Sequence, residues 1–151
     1  MKFKSTKTFY NLPCSHRQWR HQGHCRFIHG YSRSFTFWFE CSELDSYHFV
    51  VDFGSLKKLK EHLEHMFDHT MLINKDDPER ELFEELHRRE ILDLRLMDNC
   101  GMEGSAKYAF EYANTWVKEQ TNGRAWCVKV ECRENDKNSA SYEMEEERDT
   151  E

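Results

Sequence analysis

The sequence predicts an α+β domain, an antiparallel four-stranded sheet with two helices on one face. Three observations lead there. Segment 27–41 holds Phe35, Phe37, Phe39 and Cys41 on one side and Ser34, Thr36, Trp38 and Glu40 on the other, the period of a half-buried strand. Leu56, Leu59, Leu63 and Met66 recur at helical spacing, and so do Ala106, Phe110, Ala113 and Val117. The order of these patterns is strands first, then helices, then a closing strand.

Residues 1–10 alternate around Phe3 and Phe9 and read as the first strand, disturbed soon after by Pro13. A loop over 17–26 is poor in apolar residues and is placed to fold over a pocket. The strand over 27–41 follows, then a turn at Asp45-Ser46. His48 to Phe53 reads as a third strand forming a hairpin. Gly54-Ser55 opens the first helix, and the run Phe67-Asp68-His69-Thr70 ends it. Section 76–99 begins Asp-Asp-Pro, which suits a first helical turn; Phe83 and Leu86 support a short helix to about Arg89, and Ile91, Leu94 and Leu96 a short extended run. The second long helix covers 103–119 and stops at Thr121-Asn122-Gly123. The last strand, 125–133, places Trp126, Val128 and Val130 on one face and Cys127, Lys129 and Glu131 on the other.

The chain has 151 residues, enough for one domain with a substantial core. Residues 1–142 form that domain. The stretch 143–151 carries six acids and one arginine, net −5, and reads as a solvated, disordered tail. Of the total charge of −6 this leaves −1 for the body, which argues against a nucleic-acid surface. Nothing resembles a membrane span or a signal peptide, so the expectation is a cytoplasmic protein with six reduced cysteines. No C-x-x-C or H-E-x-x-H is present, which disfavours a zinc ribbon, a thioredoxin-type site or a metalloprotease. Asp76-Asp77 reads as a helix cap.

Chemistry concentrates in residues 15–31, which hold four of the nine histidines (His16, His21, His24, His29), Cys25 and Tyr31. Imidazoles and thiolates bind zinc and move protons near neutral pH. His29 and Tyr31 lie two apart at a strand's start and project from one face. From the residues alone, His29 reads either as a metal ligand or as a satisfied strand-edge histidine. Cys25 reads either as an activated thiolate or as a small buried residue. Asp68-His69 reads either as a carboxylate orienting an imidazole or as a helix terminus.

Taken together, these features resemble the 6-pyruvoyltetrahydropterin synthase and 6-carboxytetrahydropterin synthase family, from about Phe9 to Tyr142. The family's alanine-alanine-histidine looks like Cys14-Ser15-His16. Its cysteine, three residues, then H-G-H looks like Cys25, Arg26-Phe27-Ile28 and His29-Gly30-Tyr31. Asp52-Phe53 with Leu56-Lys57, Phe67-Asp68-His69 with Leu72 and Asn74 nearby, Glu103 with Ala106-Lys107, Glu131 and Tyr142 follow in the family's order. The resemblance implies the tunnelling fold, in which sheets of several subunits close into an oligomeric barrel, a trimer or hexamer of identical chains. It implies a lyase acting on the pterin 7,8-dihydroneopterin triphosphate with Zn²⁺, in a 7-deazapurine (queuosine-type) pathway. The carboxy type expels acetaldehyde and triphosphate; the pyruvoyl type expels triphosphate only, and a third possibility is a pterin- or metal-binding homologue without turnover. By the same resemblance His16 and His29 bind zinc, Cys25 is the base, Asp68 and His69 form the relay, and Glu131 and Glu103 bind the pterin. Two departures stand out. Tyr31 replaces the third zinc histidine, leaving Tyr31, His24 or His21 from the loop, or a water, as the third ligand, and Cys100-Gly101 replaces the family's proline-threonine.

Overall fold

The computed structural model describes residues 1–145. The chain runs β1 (Phe3–His16), β2 (His29–Cys41), α1 (Lys57–Phe67), β3 (Thr70–Asn74), α2 (Arg80–Arg88), β4 (Leu94–Met97), α3 (Met102–Gln120), β5 (Ala125–Arg133) and β6 (Ser139–Glu143). These strands form a six-stranded sheet in the order β4-β3-β1-β2-β5-β6. Pairing is parallel at β1–β3 and β3–β4 and antiparallel at β1–β2, β2–β5 and β5–β6. The expected four-stranded antiparallel sheet is therefore corrected to a mixed sheet of six strands with three helices.

Two of those strands escaped the sequence pattern for a physical reason. All five residues of β3 are buried, so it shows no apolar–polar alternation. Leu72 joins the main core, while Met71 and Ile73 pack with Phe83 of α2 and the partly buried Leu92, Leu94 and Leu96. Strand alternation thus puts α2 on the opposite face from α1 and α3. β6 is short and mostly exposed, and it pairs only with β5. It reaches Glu143, and the Met144 amide donates to the Val128 carbonyl at 2.9 Å, so order extends into the acidic stretch. The remainder of the expected tail, 146–151, lies outside the described residues.

The main core is built as the patterns require. Phe35, Phe37 and Phe39 are fully buried between the sheet and α1 and α3. Phe35 meets Phe67 of α1 with ring centroids 4.7 Å apart. Ala106 and Ala113 let α3 lie close to the sheet. His62 of α1 stacks on Tyr112 of α3 at 3.7 Å and shares a 2.8 Å hydrogen bond with the Tyr108 hydroxyl, which ties the two helices together. No helix is long and apolar enough to cross a membrane among the described residues.

Segment 48–53 is not a strand. The Asp45 carboxylate accepts the Tyr47 and Phe49 amides at 2.9 Å each, and His48 has φ 67°. The Arg124 guanidinium donates to the carbonyls of Glu43 and Val50 at 2.9 and 2.6 Å. Side chains satisfy this backbone, so no ladder forms. Val50 and Val51 are both buried, which no exposed-face strand would allow.

β1 continues through Pro13. The Pro13 carbonyl accepts the His69 amide at 2.6 Å, so its nitrogen faces the β3 side, where pairing begins only at Cys14. The missing N–H therefore breaks no ladder bond. In β5, a register shift opposite Trp38/Phe39 reverses the alternation. Cys127 and Val130 are both buried, and Glu131 shares the outward face with Trp126, not the opposite face as the alternation implied.

Phe83 is 3% exposed and anchors α2 to its own side of the sheet. Phe83→Ala is expected to lower stability by about 3–5 kcal/mol, read from urea unfolding. A loss below about 1 kcal/mol would show that α2 does not depend on this face.

Candidate metal centre and the loop beside it

His16 ends β1 and His29 begins β2, and the two are directly paired across the strands. Their rings lie 4.4 Å apart, tilted at 50°. Gly30 makes this closeness possible, because a Cβ there would overlap the Cys14 carbonyl oxygen. His16 is 5% exposed, and its Nδ1 is buried with no hydrogen-bond partner. Burial pushes its pKa down to about 3, with smaller contributions from the nearby Arg33 and His29. A neutral imidazole with an unpaired nitrogen in a buried place is the form a metal takes. The His29 Nδ1 lies 2.6 Å from the Phe27 carbonyl. That contact assigns the proton to Nδ1 and leaves the Nε2 lone pair free. Glu134, just past β5, brings Oε1 to 3.9 Å from His29 Nε2. One ligand atom each from His16, His29 and Glu134 lies within 4.8 Å of the others. Two imidazoles and a carboxylate form a set that zinc takes in catalytic sites with a fourth position open.

The other residues singled out from the sequence lie elsewhere. The β1–β2 register puts Tyr31 on the same face as His29, opposite Cys14, and it is 49% exposed. It lines a groove of about 680 Å³ together with His69, Pro13 and Thr70. His69 is paired with Asp68, Nδ1 and Oδ1 2.6 Å apart, and Asp68 itself lines a different pocket with Phe9 and Leu63. His24 and Cys25 are exposed in a short 3-10 turn, His24–Arg26. His24 packs near the Phe27 ring at 6.4 Å and is outside the His16–His29–Glu134 group. The Cys25 thiol makes no hydrogen bond among the described residues, while its carbonyl accepts the Gln18 amide at 2.8 Å. Glu131 lies on the sheet face opposite to that of the histidine pair, paired with Thr36, and accepts from Arg133 at 3.3 Å. Glu103, in the first turn of α3, lines a separate pocket of about 390 Å³ with Asn99, Lys107, Tyr108 and Tyr142. One chain thus assembles the two histidines, and separately Tyr31 with His69. It does not bring Cys25, Glu103 or Glu131 to either place.

The remaining five cysteines are buried and free. Burial pushes Cys100 up to about 11 and Cys127 and Cys132 up to about 12, so these thiols stay protonated and inert.

Sequence reasoning missed three contributors. Glu134 lacked a signal because its role depends on where β5 ends. Arg33 is 1% exposed and donates to Ser105 Oγ at 2.7 Å and to the Cys100 carbonyl at 3.0 Å. An arginine at an inward position of an alternating strand was its one visible mark. Asp77 was read as a cap, and it does accept the Glu79 amide at 2.9 Å, but it also binds Arg17 through two bonds of 2.7 and 2.6 Å. Asp76 beside it takes Arg20 at 2.8 Å and Trp19 at 3.1 Å. Arg20, then Trp19, holds the Asp76 carboxyl below the usual carboxylate range. These contacts tie the loop after His16 to the turn before α2.

A family model described as 6-pyruvoyl tetrahydropterin synthase matches residues 5–145. Two curated relatives, from Rickettsia conorii and Rickettsia felis, are both named 6-carboxy-5,6,7,8-tetrahydropterin synthase. They are 34% and 32% identical over 69 residues, 45% of this chain and 50% of each relative. The chain spans about half the length of these curated relatives. Among solved structures, an uncharacterized protein from Wolinella succinogenes matches with TM-score 0.82 at 18% identity, covering 96% of this chain and 99% of that one. The 6-pyruvoyltetrahydropterin synthase of Plasmodium vivax gives 0.65 at 13% identity, covering 93% and 97%. That of Caenorhabditis elegans gives 0.59 at 20%, covering 96% of each chain. At such identities these structures show the shared fold.

The Asp77 side chain is fully buried, so removing it strands the Arg17 charge. Asp77→Ala is expected to cost about 3–5 kcal/mol and to speed tryptic cleavage after Arg20 and Arg26. Unchanged cleavage would show that the loop is held by other contacts.

Proposed function

The chain belongs to the 6-pyruvoyl tetrahydropterin synthase family, and on that premise we propose that it is a zinc-assisted lyase of the 6-carboxy-5,6,7,8-tetrahydropterin synthase type. Its substrates in this reading are 7,8-dihydroneopterin triphosphate and one water, and the products are a carboxy-substituted tetrahydropterin, acetaldehyde and triphosphate. The observation that carries the reading is the His16–His29 pair, with its unpartnered buried Nδ1 and its free Nε2. The two curated relatives, through their names, favour the carboxy type.

A zinc ion held by the pair would supply a Lewis acid toward the hydroxyls of the substrate side chain. His16 and His29 would hold it, and the Phe27 carbonyl orients His29 for that role. Cys25, exposed on its turn, acts as the base that removes a proton from the side-chain carbon. Asp68 orients His69 through their 2.6 Å hydrogen bond, and His69 relays a proton on the other side of the substrate. Glu131 accepts the pterin amino and ring N–H groups as a bidentate carboxylate, held in place by Arg133. Glu103 adds a polar contact to the pterin.

These groups are spread over both faces and one end of a single sheet. A homo-oligomer, trimer or hexamer, in which neighbouring copies complete each site, satisfies that layout. The sheet edges at β4 and β6 are open to such joining. We place the enzyme in the cytoplasm, supplying a 7-deazapurine (queuosine-type) pathway.

The deciding experiment incubates the zinc-loaded protein with 7,8-dihydroneopterin triphosphate and identifies products by mass. Acetaldehyde with triphosphate supports the carboxy type. Triphosphate without acetaldehyde assigns the pyruvoyl type, which the solved relatives from Plasmodium and Caenorhabditis carry in their names. Pterin binding without any product leaves a non-catalytic pterin- or metal-binding homologue. Cys25→Ala is expected to lower kcat by about 100-fold or more with pterin binding retained. Undiminished turnover in that variant removes Cys25 from the base role.

A further inference from the structure

We propose that Gln18 is a positioning residue for this reaction: its carboxamide stands where a side chain at 101 would stand and couples the Cys25 turn to the start of α3. This rests on the reading above, in which Cys25 is the base.

The glycine at 101 points to it. Gly101 caps α3 with φ −70° and ψ −179°, a backbone that any residue adopts, and no side-chain cap bond is made there. Serine, threonine, aspartate and asparagine are preferred at such a position. What excludes them here is space. A Cβ at 101 would come within 2.5 Å of Gln18 Nε2 and 3.2 Å of Asn99 Oδ1, with Glu103 Oε2 at 3.6 Å. A side chain from the loop after β1 thus occupies the capping place of α3.

The orientation of that carboxamide follows from its neighbours. A backbone N–H only donates, so the Cys100 and Gly101 amides, at 2.8 and 2.9 Å, fix the side-chain oxygens of Asn74 and Asn99. Asn74 Nδ2 then donates to Gln18 Oε1 at 3.1 Å, and Gln18 Nε2 donates to Asn99 Oδ1 at 3.2 Å. Asn74 is 7% exposed, so this anchor is buried.

The backbone of Gln18 holds the other end. Its N–H donates to the Cys25 carbonyl at 2.8 Å, and its carbonyl accepts the His21 amide at 3.0 Å. The His24–Arg26 turn buries no residue of its own, so its place depends on such tethers. Arg17 and Arg20 tie the loop to the turn before α2, whereas the Gln18 side chain ties it to α3. A weaker bond from the Cys100 thiol to the Arg17 carbonyl, at 3.3 Å, runs alongside. α3 itself is pinned by the buried Ala106, Ala109 and Phe110. Loss of the Gln18 side chain therefore shifts the Cys25 turn and leaves Glu103 in place. Misplacing a reacting group by about 1 Å costs about 100-fold in rate, so the loss falls on kcat and not on KM.

The test uses the zinc-loaded full chain as Gln18→Met, Gly101→Thr and the double variant. Gln18→Met keeps the length of the side chain and removes its hydrogen bonds. Gly101→Thr drives the carboxamide off Asn99, and it probes the same contact even where Gln18→Met does not fold. Each is expected to lower kcat by roughly 10–100-fold with KM near wild type. Both break one contact, so the double variant falls no further than either single. A second readout needs no turnover: the mobility of a nitroxide on Cys25, the other five cysteines being buried. The label is expected to loosen equally in all three variants. A lower melting temperature with kcat and label unmoved would mean that Gln18 only stabilises the loop, and it overturns the inference. Losses that multiply in the double variant overturn it too. The activity reading is judged separately. The label pattern with no pterin turnover by the wild type defeats that reading alone. Turnover with kcat and label indifferent to Gln18→Met and Gly101→Thr defeats this inference alone.

Discussion

The register between β1 and β2 is the constraint on which the rest depends. Phe9 pairs with Phe35, and Leu12 with Arg33, so β1 spends one residue more than β2 between them. The extra residue sits at the bulge around Asn11, whose φ is 63°. Asparagine tolerates that left-handed backbone better than most residues. Without the bulge, the strand's alternation would carry Pro13 and Ser15 inward. With it, Leu12, Cys14 and His16 face the helices, and His16 meets His29. A single-residue irregularity thus turns a core strand into one arm of the histidine pair.

Around that pair the fold tolerates buried charge that a plain core would reject. Arg33 lies beneath the site with Ser105 and Cys100 as neutral acceptors, so it links the β2 strand to the start of α3. Asn74 accepts the Cys100 amide at 2.8 Å and donates to Gln18 at 3.1 Å, which joins β3 to the same region. Arg17 and Asp77 complete the belt. Each of these groups is costly to bury alone and is retained because its partners come from different elements. The belt holds the ends of β1, β3 and α3 at one level, where the chemistry-bearing loop emerges.

The layout also explains why the candidate residues do not meet within one chain. The histidine pair faces the helices, Glu131 faces away from them, and Cys25 stands exposed on its turn. A sheet has two faces, and strand alternation forbids one copy from gathering all these side chains at one point.

Much of this was legible in the sequence. The alternation of 27–41 and the helical stripes of Leu59, Leu63, Ala106 and Ala113 each report burial against one face, and a one-sided element writes its environment into its own period. The pairing of histidines with a thiol and the Asp68-His69 dyad were equally visible, because chemistry depends on residue type. Tertiary structure decided what periodicity does not encode. β3 is buried on both faces and shows no period, the backbone of 48–53 is satisfied by Asp45 and Arg124 side chains, and the bulges at Asn11 and in β5 change which face a residue occupies. Glu134 belongs to the same class. It is more than a hundred residues from His29 in sequence, and only the pairing of β2 with β5 brings the two within reach.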